Sequence, residues 1–293
     1  MFYHDKRLQY EVRVEKPNPA FAKLLQQAIG GIEGEIRVCL QYLFQAWGNR
    51  GPSKYRDMLL DTGTEEISHI EMLSTAVALN LEGATNDLKD KIAGENALVG
   101  SIMGGMDPRH IISSGLAAMA VDSNGVPFNG SWVVGSGNIA ADMYANVMAE
   151  STGRVLATRL WELTDDAGMK DMLAFLIARD TMHQNQWLAV LEDLGGIEAN
   201  MPIPNTFPMT EQVRQFEYAF VSTNIDRPNP PDARWASGPS IDGKGEFSYI
   251  HAQPLGQVPV LGPPDVKGYA QSQQMTGSDD KGILENIKDT ILP

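Results

Sequence analysis

Asp61-Thr62-Gly63-Thr64-Glu65-Glu66-Ile67-Ser68-His69-Ile70-Glu71-Met72 is the stretch whose reading decides the fold. Residues three apart share a helix face, so Glu66 and His69 aim one carboxylate and one imidazole at the same point. Leu59, Ile70, Leu73 and Val77 fall near that face, while Glu65 and Glu71 are expected to turn well away from it. A carboxylate directed into an apolar core is costly without a partner. A metal ion would supply one. Alone the pair is a weak signal, because Glu and His arise at this spacing by chance.

Working outward, the helical pattern around the pair runs from roughly Ser53 to Leu81, and three more helices are expected. One extends from Ala20 to about Trp47, with Leu25, Ala28, Ile29, Ile32, Ile36, Cys39 and Leu43 on one stripe. Glu35 lies inside that stripe and Glu33 on the far side. Another begins near Asn138 with Ile139, Met143, Val147, Ala157 and Trp161 on a common face, interrupted by Glu150 and, one turn later, Arg154. The last spans about Ala167 to Leu194, where Met172, Leu176, Trp187 and Val190 are in phase with His183 and Gly195-Gly196 closes the helix. A linker of about sixty residues joins the second helix to the third, too long for a simple hairpin connection. Its middle, Pro108 to Ala120, reads as a short helix, and the part after Asp122 as ordered loop.

Each helix therefore carries a metal-type residue on an otherwise apolar stripe: Glu35, then Glu66 with His69, then Glu150, then His183. Separately each has an ordinary explanation, a hydrogen-bonded core histidine or a Glu paired with an Arg such as Arg154. Together they match carboxylate-bridged dinuclear sites, which draw one Glu from each of two helices and a Glu-x-x-His from each of the other two. Gaps of 31 residues from Glu35 to Glu66 and 33 from Glu150 to His183 each suit a helical hairpin. The expected fold is an all-α core, a ferritin-like four-helix bundle with a long crossover between its second and third helices.

In the fourth helix the motif is Asp180-Thr181-Met182-His183, with Asp in place of Glu. One methylene shorter, Asp180 is expected to fall short of the metals and to serve as an acid or base beside them. Glu66 is then the carboxylate bridge. Two imidazoles and three carboxylates suit manganese or iron alike.

The totals limit the function classes. The chain of 293 residues has length for a real core, and 43% hydrophobic content is that of a globular protein. A formal charge of -14 argues against a nucleic-acid partner, since phosphate binding needs a basic face. The lone cysteine, Cys39, permits no internal disulfide. The opening Met1 to Arg7 is charged where a signal peptide needs an apolar core, and the uncharged run Ser123 to Ala141 is too polar for a bilayer. No membrane partner and a cytoplasmic location are expected. Twelve of the 17 prolines lie between Pro202 and Pro293, so this end cannot be mostly helix. The expected division is a catalytic domain over 1–200, including an N-terminal arm, and an extended Pro/Gly-rich tail over 201–293 that packs on the bundle and on neighbouring subunits.

Gly30-Gly31, Glu35, Tyr42, Asp61 to Glu66, His69 to Met72, Asn129-Gly130, Ser136-Gly137-Asn138, Glu150 and His183 closely resemble the non-haem manganese catalases. The similarity extends from Met1-Phe2 and Leu8-Gln9 to about Leu194 and weakens in the tail. It implies two manganese ions that disproportionate hydrogen peroxide, with Glu35 and His69 on one ion, Glu150 and His183 on the other, and Glu66 between them. Tyr42, two turns beyond Glu35, is placed to hydrogen-bond toward the centre, although spacing alone equally allows an ordinary core tyrosine. Some members carry an Arg just before the third-helix Glu, paired with a Glu three residues before the final His. Here those positions are Ala149 and Asp180, so that gate is absent or rebuilt. Arg154 either restores positive charge or pairs with a ligand carboxylate.

Asp57 and Asp61 stand one turn apart, on the side of the second helix that this reading puts opposite the site. They are either a solvated acidic face or, as in some relatives, calcium ligands aided here by Ser222 and Asn224. The resemblance also implies a homohexamer with tails embracing adjacent subunits. Two rivals stand beside the catalase: a di-iron ferritin-like ferroxidase or oxidase, and a non-enzymatic spore-coat or shell relative with a vestigial site. The five competent ligand positions speak against the second.

Overall fold

The computed structural model describes residues 4–82, 105–224 and 233–262. Its helices are α1 (Pro19–Gly30), α2 (Glu35–Gly48), α3 (Ser53–Leu81), α4 (Arg109–Ile112), α5 (Ile139–Glu162), α6 (Ala167–Asp193) and α7 (Gly196–Asn200). The expected ferritin-like bundle is formed by two hairpins, α2 with α3 and α5 with α6, and α1 lies along α3. No helix among the described residues is long and apolar enough to cross a membrane.

The expected single helix over Ala20–Trp47 is two helices. Gly31 takes extended backbone (φ -73°, ψ 173°) and ends α1, and Gly34 caps a new start. Close packing requires the glycine at position 30: a Cβ there would lie 2.5 Å from the backbone of Val121. The break shifts the phase of the apolar stripe and leaves Ile32 44% exposed. It also puts Glu35 in the first turn of α2, where the helix dipole favours a carboxylate. Trp161 likewise leaves its expected face. It is 37% exposed, with the Lys170 ammonium 4.0 Å from its ring centroid.

Side-chain caps set the other helix starts. Asn138 accepts from Ala141 N at 3.1 Å and Asp166 from Met169 N at 3.0 Å. Asp166 also accepts from the Glu15 and Lys16 amides at 2.8 and 3.0 Å, which seats the N-terminal arm on α6. Gly195 and Gly196, at φ +101° and +74°, close α6 as expected. The helix expected over Pro108–Ala120 is confined to α4, because the chain turns left-handed at Gly115 and Leu116 (φ +61° and +70°). Positions 83–104 of the crossover and six of the last twelve prolines, Pro293 among them, lie outside the described residues.

In the decisive stretch, Gly63 lets α2 approach closely: Cys39 Sγ meets Gly63 O at 3.4 Å, and a Cβ at Gly63 would lie 3.0 Å from Leu43. Across the bundle, Gln41 and Gln45 of α2 donate to Asn146 Oδ1 of α5 at 2.8 and 2.9 Å, and Gln45 also holds Val134 O of the crossover loop. The core falls into two apolar clusters. Met72, Leu73, Ala76, Val77 and Leu81 of α3 pack with Met169, Met172 and Leu173 of α6 and with α1. Tyr55 and Leu59 pack with Trp187, Val190, Tyr42 and Met143 at the other end. Between them lies a polar layer.

The described residues divide into two compact units, 4–82 with 105–220 and 233–248, and 221–224 with 249–262. The first includes the bundle, the 3-10 turns Met209–Glu211 and Arg214–Phe216, and an antiparallel pairing of Gly238 with Phe247 and Pro239 with Glu246. The Lys244 ammonium there donates to Met201 O. The described part of the second unit is extended chain with strand ends at Val221-Ser222 and Tyr249–His251, where Ala252 N donates to Ser222 O at 2.8 Å.

Candidate metal centre

The polar layer gathers Glu35 of α2, Glu66 and His69 of α3, Glu150 of α5, and Asp180 and His183 of α6. Two sets of donors come together, Glu35 with Glu66 and His69, and Glu66 with Glu150 and His183; in each the donor atoms lie within 4.8 Å of one another. Glu66 belongs to both. Its Oε2 is 2.7 Å from His69 Nδ1 and its Oε1 is 3.1 Å from His183 Nδ1. Glu35 Oε2 stands 3.8 Å from His69 Nδ1, and Glu150 Oε1 stands 3.4 Å from His183 Nδ1. The two imidazoles stack at 6.0 Å with 26° between their planes. Two ions sharing Glu66 fit this arrangement.

Polar satisfaction gives the same answer from another direction. Glu66 Oε1, both ring nitrogens of His69 and His183 Nδ1 are buried and have no hydrogen bond of proper geometry. Buried polar atoms are almost always satisfied. Unsatisfied carboxylate and imidazole atoms facing one another are what a cation site looks like before its ion.

Glu65 does not turn away, and here the sequence reading is corrected. Its Oε2 is 3.1 Å from His183 Nε2 and its Oε1 is 3.6 Å from His69 Nε2. Arg179 holds both oxygens, Nε to Oε1 at 2.6 Å and Nη2 to Oε2 at 3.2 Å, and Gln9 donates to Oε1 at 2.8 Å. The expectation gives α3 one working face. In the bundle α3 faces both α2 and α6, and a side chain about 100° round from Glu66 reaches the second neighbour. The spacing carried the signal: Glu65 with His69 and Arg179 with His183 are each four apart.

Burial and charge oppose one another across the layer. Burial, with the Glu66 charge adding, raises the Glu35 carboxyl to about 7. For Glu66 burial acts upward but is outweighed by His69 and His183, which hold it at about 2. Burial and the charges of Glu35, Glu150 and Glu66 push Asp180 up to about 9, so its carboxyl is neutral at pH 7. For His183 burial is outweighed by Glu150, Glu65 and Glu66, which raise it to about 12. His69 is raised well above its usual range because Glu66, Glu35 and Glu65 overcome its burial. Glu65, despite burial, is kept far below the usual carboxylate range by His183, His69, Arg179 and Gln9. As an ionised acceptor it fixes the proton of His183 on Nε2 and turns Nδ1 inward.

The remaining expected residues separate. Tyr42 is fully buried and donates its hydroxyl to Glu150 Oε1, so it faces the centre. Asp180 is buried in the layer but belongs to neither close donor set. Arg154 is exposed and donates to Thr181 Oγ1 at 3.3 Å. Of the two readings open for it, the pairing with a ligand carboxylate is not formed among the described residues, because its position on α5 directs it to solvent. Asp57 and Asp61 are exposed, Asp57 beside Arg56 at 3.7 Å. Asp61 lines the same surface recess as Glu65 and Arg179, not the side opposite the site. Ser222 Oγ contacts Asn224 O at 3.3 Å.

Comparison with known proteins supplies an independent finding. Residues 1–284 match the family model described as manganese containing catalase. A manganese catalase of Bacillus subtilis (strain 168) is 46% identical over 264 residues, 90% of this chain and 95% of the relative. A manganese catalase of Lactiplantibacillus plantarum is 42% identical over 197 residues, 66% of this chain and 72% of the relative. Among solved structures, KatB, a manganese catalase from Anabaena, superposes with a TM-score of 0.68 at 25% identity, covering 85% of this chain and 99% of that one.

Proposed function

The chain belongs to the manganese-containing catalase family, and we propose that it disproportionates hydrogen peroxide to water and oxygen at two manganese ions held by Glu35, Glu66, His69, Glu150 and His183. The observation that carries the assignment is the sharing of buried Glu66 between two donor sets, each completed by one Glu and one inward-facing imidazole nitrogen. A bound manganese pair supplies two one-electron changes, which together match the two electrons exchanged with each peroxide.

The chain's own residues do the rest. Glu66, one oxygen toward each histidine, sets the separation of the two sites. The Tyr42 hydroxyl fixes the rotamer of Glu150. Asp180, buried in the layer with burial and the Glu35 and Glu150 charges raising its carboxyl, is placed to give one of the two protons that peroxide reduction takes up and to recover one of the two that peroxide oxidation releases. Apolar clusters on both sides keep bulk water out of the layer. We extend the reading to a cytoplasmic homohexamer and to calcium at Asp57 and Asp61; sedimentation and calcium analysis of the same sample decide the last two.

The test is metal content measured with oxygen evolution. Protein from manganese-replete cells should hold two manganese per chain and release oxygen from peroxide in the presence of haem poisons, and Glu66→Ala should lose both properties. Metal-replete protein that evolves no oxygen overturns the proposal, and iron in place of manganese turns it toward an oxidase.

A further inference from the structure

We propose that Glu65 is the positioning residue of the centre, one carboxylate that holds the outward nitrogens of His69 and His183 together, with Arg179 as its anchor. The inference rests on the reading above that both histidines bind manganese. It adds a second, outer link between the two metal sites opposite the inner bridge Glu66.

The geometry is that of two carboxylates bracketing two rings. Glu66 spans the inward Nδ1 atoms at 2.7 and 3.1 Å. Glu65, the preceding residue, spans the outward Nε2 atoms at 3.6 and 3.1 Å. A histidine that binds metal through one nitrogen commonly donates its other N–H to a carboxylate, which fixes the ring and its tautomer. Here one carboxylate faces both rings. The His183 contact is a hydrogen bond, whereas His69 Nε2 stands 3.6 Å from Glu65 Oε1 without one, so the His183 ring depends on Glu65 more.

Glu65 is itself held hard. The Arg179 fork takes one oxygen at 2.6 Å and the other at 3.2 Å, and Gln9 adds a bond at 2.8 Å from the N-terminal arm. Bidentate Arg–carboxylate pairs fix orientation as well as charge. The outer side of this clamp lines an open recess of about 550 Å³ with Gln9, Asp61, Ser68 and Phe175, and the Glu65 side chain is 19% exposed. The position is thus reachable by substitution without cutting into either apolar cluster.

The acceptor inventory makes the isosteric variant decisive. A carboxylate accepts at both oxygens, whereas an amide accepts at one and donates at the other. In Glu65→Gln the amide nitrogen must face a donor whichever way it is turned, because Oε1 now serves Arg179 Nε and Gln9, and Oε2 serves Arg179 Nη2 and His183 Nε2. Either the His183 bond or one arm of the Arg179 clamp is lost while the shape is unchanged.

The experiment titrates metal-free protein with manganese(II) alone, read by calorimetry and electron paramagnetic resonance, for wild type, Glu65→Gln, Arg179→Gln and the exposed control Glu71→Gln. Glu65→Gln should bind about 10–100-fold more weakly. At two equivalents it should show the six-line signal of isolated ions where the wild type shows a coupled pair. Arg179→Gln should shift both readouts the same way by less, and Glu71→Gln should shift neither. Folded Glu65→Gln and Arg179→Gln that load two manganese like wild type overturn the inference and leave the catalase reading intact. A wild type that binds no manganese overturns both. Should Glu65→Gln fail to fold, the loading of Arg179→Gln decides by itself: weakened binding upholds the inference and wild-type binding overturns it.

Discussion

Loading the metal-free protein with manganese at neutral pH should expel protons, and the structure says how many. Without metal, His183 is held protonated up to about 12 by Glu150, Glu65 and Glu66 against its burial. His69 is likewise raised well above its ordinary value, and Glu35, lifted by burial and by Glu66, is half protonated near its value of about 7. Manganese takes the inward lone pairs of both imidazoles and one oxygen of Glu35. Each must give up its proton to bind. Two histidine protons and part of one from Glu35, beside a Glu150 carboxyl that burial also raises, make at least about two protons per metal pair at pH 7. The sign follows directly. Protons compete with metal, so affinity falls as pH falls, and the slope of the logarithm equals the protons released, about 100–1,000-fold per pH unit for the pair. Below pH 7 the slope steepens as Glu35 fills, and toward pH 9 it relaxes to the histidines alone. Calorimetric titration in two buffers of different ionisation heat counts the protons directly. Release of fewer than one proton per pair would refute the reasoning, since it would mean the histidines are neutral in the metal-free layer.

Three further outcomes test the scaffold. Tyr42→Phe keeps the ring against Trp187, 4.8 Å away, but removes the hydroxyl from Glu150; metal-free protein should lose about 1.5–3 kcal/mol in urea unfolding, and an unmoved midpoint would deny the hydroxyl that role. Asp166→Ala removes the α6 cap and two bonds to the arm, for about 1–3 kcal/mol. Amide bonds from Lys16, Met169 and Glu15 overcome burial and lower the Asp166 carboxyl, so its contribution is complete above about pH 4, its unfolded range, and fades as pH falls through the lowered value. The mutant and wild-type midpoints should therefore converge in acid. Gly30→Ala, with a Cβ 2.5 Å from Val121 backbone, should destabilise by about 1–3 kcal/mol, whereas a wild-type melting temperature would show that the crossover loop moves aside freely.

Much of this arrangement was legible in the sequence because helices report themselves through periodicity. The expected Ser53–Leu81 helix matches α3, and the starts near Asn138 and Ala167 fall within a residue of α5 and α6, where Asn138 and Asp166 cap them. Less legible was whatever depends on two elements at once. Ile32 keeps the apolar spacing across Gly31–Gly34, so spacing joins α1 to α2, while the end of α1 packs at Gly30 on the Val121 backbone some ninety positions on. Glu65 escapes a sequence reading for the same cause. A helical wheel knows one axis, and the partner that gives Glu65 its role, Arg179, belongs to another helix. Arg154 fails in the opposite direction, since sharing a stripe with Glu150 one turn away does not bring its guanidinium to the carboxylate.

The position of the polar layer follows from the same packing. Four acids buried beside two histidines would open a bundle at its ends, where backbone pairs are few and helices fray. Here Met72, Leu73 and Met172 close one side and Leu59, Trp187 and Tyr42 the other, each essentially inaccessible. The ligands therefore sit at mid-helix on α3, α5 and α6, where axes clamped on both sides cannot splay. Glu35 differs, standing at a helix start, and its fixed point is the glycine break that tucks Gly30 under the crossover loop. All four ligand-bearing helices are located by apolar contacts, and α2 also by the backbone contact at Gly30. Substitutions in the clusters should loosen both metal sites together, while changes at the break should reach the Glu35–His69 site first.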